Sequence, residues 1–253
     1  MIGSDARRRR EAMRISRAAT KEPPAPRLER HQSLVEQYAA MAHVFQPRPV
    51  DHVLRLLDLL IGGSAAILTS PLVALIAFVL KLSAPRAPAL YHGWRVGRGG
   101  HLFQMLKFRT LAPDAEHRLG PFLGPELTQL TESEVSRIGR ALRASRLDEL
   151  PQLYNVLRGE MSLVGPRPIR PRFFEELCVG IPEYWQRLVV RPGITGLAQL
   201  RLTREMTWAE KLAHDLEYIA DRSVRLYLSV IVTTVWLVLV RPANRRSVLN
   251  RLP

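Results

Sequence analysis

The sequence predicts an α+β, mainly helical fold, in which a re-entrant membrane helix broken at Ser-Pro joins a compact domain bearing interfacial amphipathic helices. Three observations predict it. Residues 59–80 carry no charge and would form roughly 33 Å of helix, enough to reach across a bilayer core. Short segments of strand and helix period follow, punctuated by Gly and Pro. A second apolar run, residues 226–240, lies between arginines. A chain of 253 residues can bury a sizeable core.

Residues 1–49 read as a basic, proline-containing flexible extension with Arg7, Arg8, Arg9 and Arg10, and at most a short helix near residues 34–45. Lipid-headgroup binding and a passive linker are both open for it. No apolar core follows the arginines, so it does not read as a signal peptide.

Residues 50–82 are the membrane helix. Pro71 removes one helical hydrogen bond and crowds the preceding turn, so a bend is expected, leaving halves of about 16 Å. Thr69 and Ser70 are placed to bond the carbonyls that the proline frees. Arg48 and Arg55 precede the uncharged run; Lys81, Arg86, Arg95 and Arg98 follow it. Both ends thus carry the positive mark of the cytoplasmic side, which a single pass violates at one end. A helix that dips in and returns satisfies both flanks, and a kinked single pass is the competing reading.

Residues 83–253 read as one globular unit. A turn at Gly97-Arg98-Gly99-Gly100 leads into a strand over 102–109, and helices are expected over 146–158 and 205–222. The run 226–240 is short for a span, so an interfacial or partly buried helix is expected, with Arg222 and Arg225 before it and Arg241, Arg245 and Arg246 after it. Trp185, Trp208 and Trp236 suit packing or a membrane interface as well as substrate contact.

The formal charge of +14 comes almost wholly from arginine, since lysine contributes only Lys21, Lys81, Lys107 and Lys211. Such a surplus points to polyanions: lipid headgroups, nucleic acid or nucleotide phosphates. Nucleic acid has only the charge in its favour, because no recognition helix or aromatic RNA-binding pattern is present. Cys178 is the only cysteine, which excludes an internal disulfide and fits a reducing compartment; no zinc-type Cys/His spacing occurs.

Within this cationic chain, Asp148 and Glu149 stand side by side in Ser145-Arg146-Leu147-Asp148-Glu149-Leu150-Pro151-Gln152-Leu153. Ser145 and Asp148 have capping-box spacing, and Pro151 suits only a first helical turn, which places the pair at a helix start. Complementing the helix dipole would by itself explain two acids there. A carboxylate can also attack phosphorus or hold Mg²⁺ against a pyrophosphate, provided cations offset the repulsion. Lys107 and Arg109 share a face if extended, and Arg140, Arg143 and Arg146 recur every three residues. Gly165-Pro166-Arg167-Pro168 and Arg191-Pro192-Gly193-Ile194-Thr195-Gly196 restrict the backbone around Arg167 and Arg191. Arginine suits phosphate because its planar fork donates two parallel hydrogen bonds.

In that order these motifs resemble the bacterial sugar transferase family, the small monotopic phosphoglycosyl transferases. The resemblance spans residues 50–240. It rests on Ser70-Pro71, Arg95-Val96-Gly97, Lys107-Phe108-Arg109-Thr110, the Asp148-Glu149 run, Asn155-Val156-Leu157-Arg158-Gly159-Glu160-Met161-Ser162 and the two Gly/Pro loops. The resemblance implies a catalytic domain over 83–253 that transfers sugar-1-phosphate from a UDP-sugar to a polyprenyl phosphate, releasing UMP and initiating exopolysaccharide or another lipid-linked glycan. It implies Asp148 as the nucleophile that forms a phosphosugar ester, and Glu149 as an assistant through Mg²⁺ or proton handling. Lys107, Arg109, Arg143, Arg167 and Arg191 are then expected to hold phosphates. The expected location is the cytoplasmic face of the bacterial inner membrane, on an anionic bilayer. A homodimer and contacts with other glycan-assembly enzymes also fit the resemblance, and nucleic acid is not expected as a partner. Gly93 and Trp94 stand where many members carry a glutamine, and Tyr227 stands near a frequent acidic residue. An inactive membrane scaffold of the same fold is the alternative; the full set of acidic and basic motifs argues against it.

Overall fold

The computed structural model describes residues 48–112, 115, 133–201 and 206–239, the side chain of Leu239 excepted. The expected extension up to residue 47, its short helix, and Arg241, Arg245 and Arg246 lie outside the described residues. The first element among the described residues is α1, Pro49–Ser83. A hairpin follows, β1 (Leu90–Val96) antiparallel to β2 (Leu102–Phe108), closed by the 3₁₀ turn Arg98–Gly100 in which Gly99 and Gly100 take positive φ. Next come α2 (Arg137–Ser145), a 3₁₀ turn Leu147–Glu149, α3 (Gln152–Leu157) and β3 (Ser162–Val164). The rest is α4 (Pro171–Gly180), a 3₁₀ segment Pro182–Val189, β4 (Gly193–Thr195), α5 (Leu197–Arg201), α6 (Trp208–Asp221) and α7 (Val224–Leu239). The small two-stranded sheets among many helices match the predicted α+β class.

The helix α1 is hydrogen-bonded as helix through Pro71, and at 35 residues it would be about 52 Å long if straight. Pro71 has no N–H for the Ile67 carbonyl, and the Ser70 hydroxyl donates to that oxygen instead at 2.8 Å. Thr69 donates to the Ala65 carbonyl at 2.7 Å, so the bend chemistry expected of the Ser-Pro step stays inside the helix. It is the one described helix long and apolar enough to cross a membrane, with a mean hydropathy of 2.2 over its most apolar window and only 11% of that window buried. A core helix of a soluble domain would be mostly covered.

Both ends of α1 pack on the globular unit. Leu54 joins the main core with Phe103, Met105, Leu153, Val156, Leu163 and Tyr227, flanked by Leu57, Ile61, Ala65 and Ala66. Ile76 and Leu80 form a second cluster with Phe108 and Leu142. Between these contacts Ile67 and Leu68 are 77% and 83% exposed. Asp58 is buried in the first half and accepts hydrogen bonds at Oδ1 from Ser162 Oγ (2.8 Å), Leu163 N (2.8 Å) and Tyr227 OH (2.7 Å). One carboxylate thereby ties α1, β3 and α7 together, and its other oxygen is 3.9 Å from Arg55. The final helix is amphipathic as expected: Tyr227 and Val230 are buried, while Val232, Val235, Trp236 and Val238 are exposed.

Candidate active site

Thr110 builds the first wall. Its carbonyl accepts from Ser136 N at 3.0 Å, and α2 comes so close that a Cβ on Gly139 would lie 1.9 Å from that oxygen. Only glycine permits this approach. The Thr110 hydroxyl then accepts from Arg143 Nε at 3.0 Å, which sets the guanidinium at the end of α2.

The chain leaves α2 through Arg146, whose φ of 58° is the only positive φ of a non-glycine among the described residues. That left-handed conformation costs on the order of 1–2 kcal/mol and turns the chain sharply into Leu147–Glu149. The capping box expected from Ser145 does not form. Its hydroxyl donates backward to the Ala141 and Leu142 carbonyls at 2.8 and 3.1 Å, closing α2 rather than opening the next helix. The single helix expected over 146–158 is therefore a 3₁₀ turn carrying the acids, a step at Leu150 and Pro151, and the six-residue α3. Asn155 of α3 fixes this assembly against β2, accepting from Leu106 N at 2.9 Å and donating to Gln104 O at 2.8 Å and Glu160 Oε2 at 2.7 Å.

The two acids end in different surroundings. Lys107 Nζ lies 2.8 Å from Glu149 Oε1, and Arg167 Nη2 lies 3.9 Å from the same oxygen. Burial opposes ionisation of Glu149, but Lys107 and Arg167 outweigh it and hold this carboxyl below its ordinary range. Burial also lowers the Lys107 ammonium, with Glu149 opposing. Asp148 is 8% exposed, and burial pushes its carboxyl above the ordinary range; Lys107 and Arg143 draw it back, while the charge of Glu149 adds to the upward push.

Arg167 reaches the site from two interlocked loops. β3 and β4 pair in parallel, Ser162 with Gly193 and Val164 with Thr195. Gly165 N donates to Thr195 O and Gly193 N to Pro166 O, both at 2.9 Å. A Cβ on Gly193 would sit 2.1 Å from Gly165 N, and one on Gly165 2.4 Å from Arg191 O, so the Gly-Pro-Arg-Pro and Arg-Pro-Gly loops pack backbone on backbone. Behind them the buried Arg187 donates to Arg167 O at 2.8 Å and to Tyr184 OH at 2.7 Å, and pairs with Asp215 at 2.8 Å. The Arg167 side chain remains 56% exposed, facing Glu149.

Asp148, Glu149, Lys107, Arg143 and Arg167 thus come together, whereas two other expected phosphate ligands are committed elsewhere. Arg109 donates to the Leu80 and Pro88 carbonyls at 2.9 and 2.8 Å, capping the C-terminal end of α1. Arg191 donates from Nε to Gly159 O at 2.9 Å, and the cations acting on it are Arg55 and Arg98. Sequence reasoning did not single out Thr110, Arg187, Asp215 or Asp58. Thr110 and Asn155 lay inside recognised motifs, but Arg187 is one arginine among many and carried no signal.

No cluster of three or more His, Cys, Asp or Glu is present among the described residues. Asp148 and Glu149 do match the donor set of Mg²⁺ at phosphate sites, where one or two carboxylates act with substrate oxygens and waters.

Residues 50–241 match the profile of the bacterial sugar transferase family. A UDP-glucose:undecaprenyl-phosphate glucose-1-phosphate transferase of Caulobacter vibrioides is 41% identical over 193 residues, covering 74% of this chain and 69% of that protein. A UDP-N-acetylgalactosamine-undecaprenyl-phosphate N-acetylgalactosaminephosphotransferase of Aeromonas hydrophila is 35% identical over 75% of this chain, but the match spans only 44% of its own length. An exopolysaccharide production protein of Rhizobium leguminosarum is 36% identical over 72% of this chain and 92% of its own.

Proposed function

Because this chain belongs to the bacterial sugar transferase family, we propose that it transfers sugar-1-phosphate from a UDP-sugar to undecaprenyl phosphate and thereby starts a lipid-linked glycan such as an exopolysaccharide. The names of relatives supply both substrates. The observation that carries the mechanism is the unequal treatment of two neighbouring carboxylates. Glu149 is bound to Lys107 and held ionised, whereas Asp148 is buried and raised, which makes it the better nucleophile once ionised.

An Asp148 oxygen bonds to the sugar-bearing phosphorus, the bond from that phosphorus to the bridging oxygen breaks, and its electron pair leaves with UMP. A phosphate oxygen of the lipid then attacks the same phosphorus and displaces the Asp148 carboxylate. Arg143 and Arg167 face the charge that spreads over the phosphoryl oxygens, and Lys107 keeps Glu149 from repelling it. Mg²⁺ held by Asp148 and Glu149 would neutralise pyrophosphate charge.

In this reading α1 is re-entrant, entering and leaving the bilayer on the cytoplasmic face of the inner membrane. Support comes from its two packed ends, its exposed middle at Ile67 and Leu68, and Arg48, Arg55 and Lys81 on its flanks. The site then stands close to where a lipid phosphate emerges.

Intact-protein mass spectrometry with a panel of UDP-sugars tests the proposal. The wild type should gain the mass of one sugar phosphate with its own donor, and Asp148→Asn should gain none while losing UMP release at least about a thousandfold. Full turnover by Asp148→Asn would remove the covalent mechanism.

A further inference from the structure

We propose that Gln152 is a further residue of the phosphoryl-transfer site, its buried side-chain amide donating a hydrogen bond to an oxygen of the phosphoryl group that Asp148 attacks. This rests on the reading of Asp148 given above. The backbone turns helically from Leu147 through α3, with Leu150 and Pro151 themselves in right-handed helical conformation. Residues three apart on such a run share a face. On that row Glu149 meets Lys107, and Asn155 meets the Leu106 and Gln104 backbone, all three on β2. Gln152 is midway between Glu149 and Asn155, so it lies on the β2 side, one turn from the acidic pair.

Gln152 is 2% exposed, and its Nε2 has no hydrogen-bond partner among the described residues. Asn155, the next polar residue on the row, uses its amide oxygen and nitrogen on protein groups. A buried donor without an acceptor is destabilising, and such groups in folded proteins call for an explanation. The acceptor that fits a neutral N–H pair one turn from Glu149, which itself meets Lys107 and Arg167, is an anionic phosphoryl oxygen. A neutral donor also suits a place where another full charge would perturb Asp148.

The experiment replaces Gln152 with Met, close in size and without donors. Gln152→Met should melt at the wild-type temperature or higher, because an unpaired buried amide is gone. Its kcat for UMP release should fall about a hundredfold with KM for the UDP-sugar little changed, the signature of a donor engaged in the transition state. Turnover within threefold of wild type would overturn the assignment. So would a loss of activity matched by a melting temperature several degrees lower, which would place Gln152 in the scaffold. If the wild type itself yields neither adduct nor UMP, the covalent reading fails; a fully active Gln152→Met beside an active wild type removes Gln152 alone.

Discussion

Lys107 Nζ binds Glu149 Oε1 at 2.8 Å across 42 residues of sequence, and this ion pair sets two adjacent acids apart. Glu149 is neutralised in place by a strand residue. Asp148, its neighbour, faces burial with the same lysine acting only through space. Two identical functional groups thus acquire different acidities, Asp148 mainly from burial and Glu149 from Lys107 and Arg167.

The pair makes the pH profile sensitive to Lys107. In the proposed reaction Asp148 must be ionised to attack; burial raises its carboxyl, and Lys107 lowers it again. Lys107→Met should therefore move the acidic limb of kcat/KM to higher pH. A limb that stays in place or moves lower in stopped-time UMP assays would contradict this.

Arg187 and Asp215 should behave as a buried ion pair that also shapes the site. Arg187→Met leaves Asp215 buried without its partner and should cost about 3–5 kcal/mol in thermal or denaturant unfolding. Arg187→Met with Asp215→Leu should recover much of that stability. Activity should stay low in the double variant, since the bond from Arg187 to the Arg167 carbonyl is still missing.

Two glycines offer a sharp contrast. Gly193→Ala drives a Cβ to 2.1 Å from Gly165 N and should destabilise by about 4 kcal/mol or more. A Cβ on Gly180, at the end of α4, meets nothing within 4 Å, so Gly180→Ala should be neutral or stabilise by up to about 1 kcal/mol. Melting temperatures of the two variants settle the comparison.

The path of α1 is open to labelling. In a Cys178→Ser background, Arg48→Cys and Arg86→Cys should react with a membrane-impermeant maleimide from the same side of inside-out vesicles. Labelling from opposite sides would replace the re-entrant helix with a single pass.

Much of this was legible in the residues. The uncharged run marked α1, and the strand expected over 102–109 after the glycine turn is β2 to within a residue, while its partner β1 was not foreseen. The helix expected over 205–222 runs Trp208–Asp221, capped by a Thr207–Glu210 box. Asp148 and Glu149 stood out as acids in a basic chain. The connection between α2 and α3 was misjudged because a left-handed Arg146 has no sequence mark, unlike a glycine in that role. Strand alternation put Arg109 on the face of Lys107, and the resemblance extended the phosphate role to both. Alternation gives a face, but the α1 carbonyls that claim this guanidinium come from residues 21 and 29 positions earlier. The pairing of Arg187 with Asp215 joins two distant segments by charge, and nothing local encodes it.

The bonds around Asp58 have a bearing on how the molecule is made. The partners of this acid, Ser162 and Tyr227, lie 104 and 169 positions downstream of it. A carboxylate held in apolar surroundings without partners is costly, so α1 cannot settle into its final packing until the segments carrying Ser162 and Tyr227 have been made. Placing α1 and folding the rest of the domain then become one event, completed only when α7 closes over α1 through Tyr227.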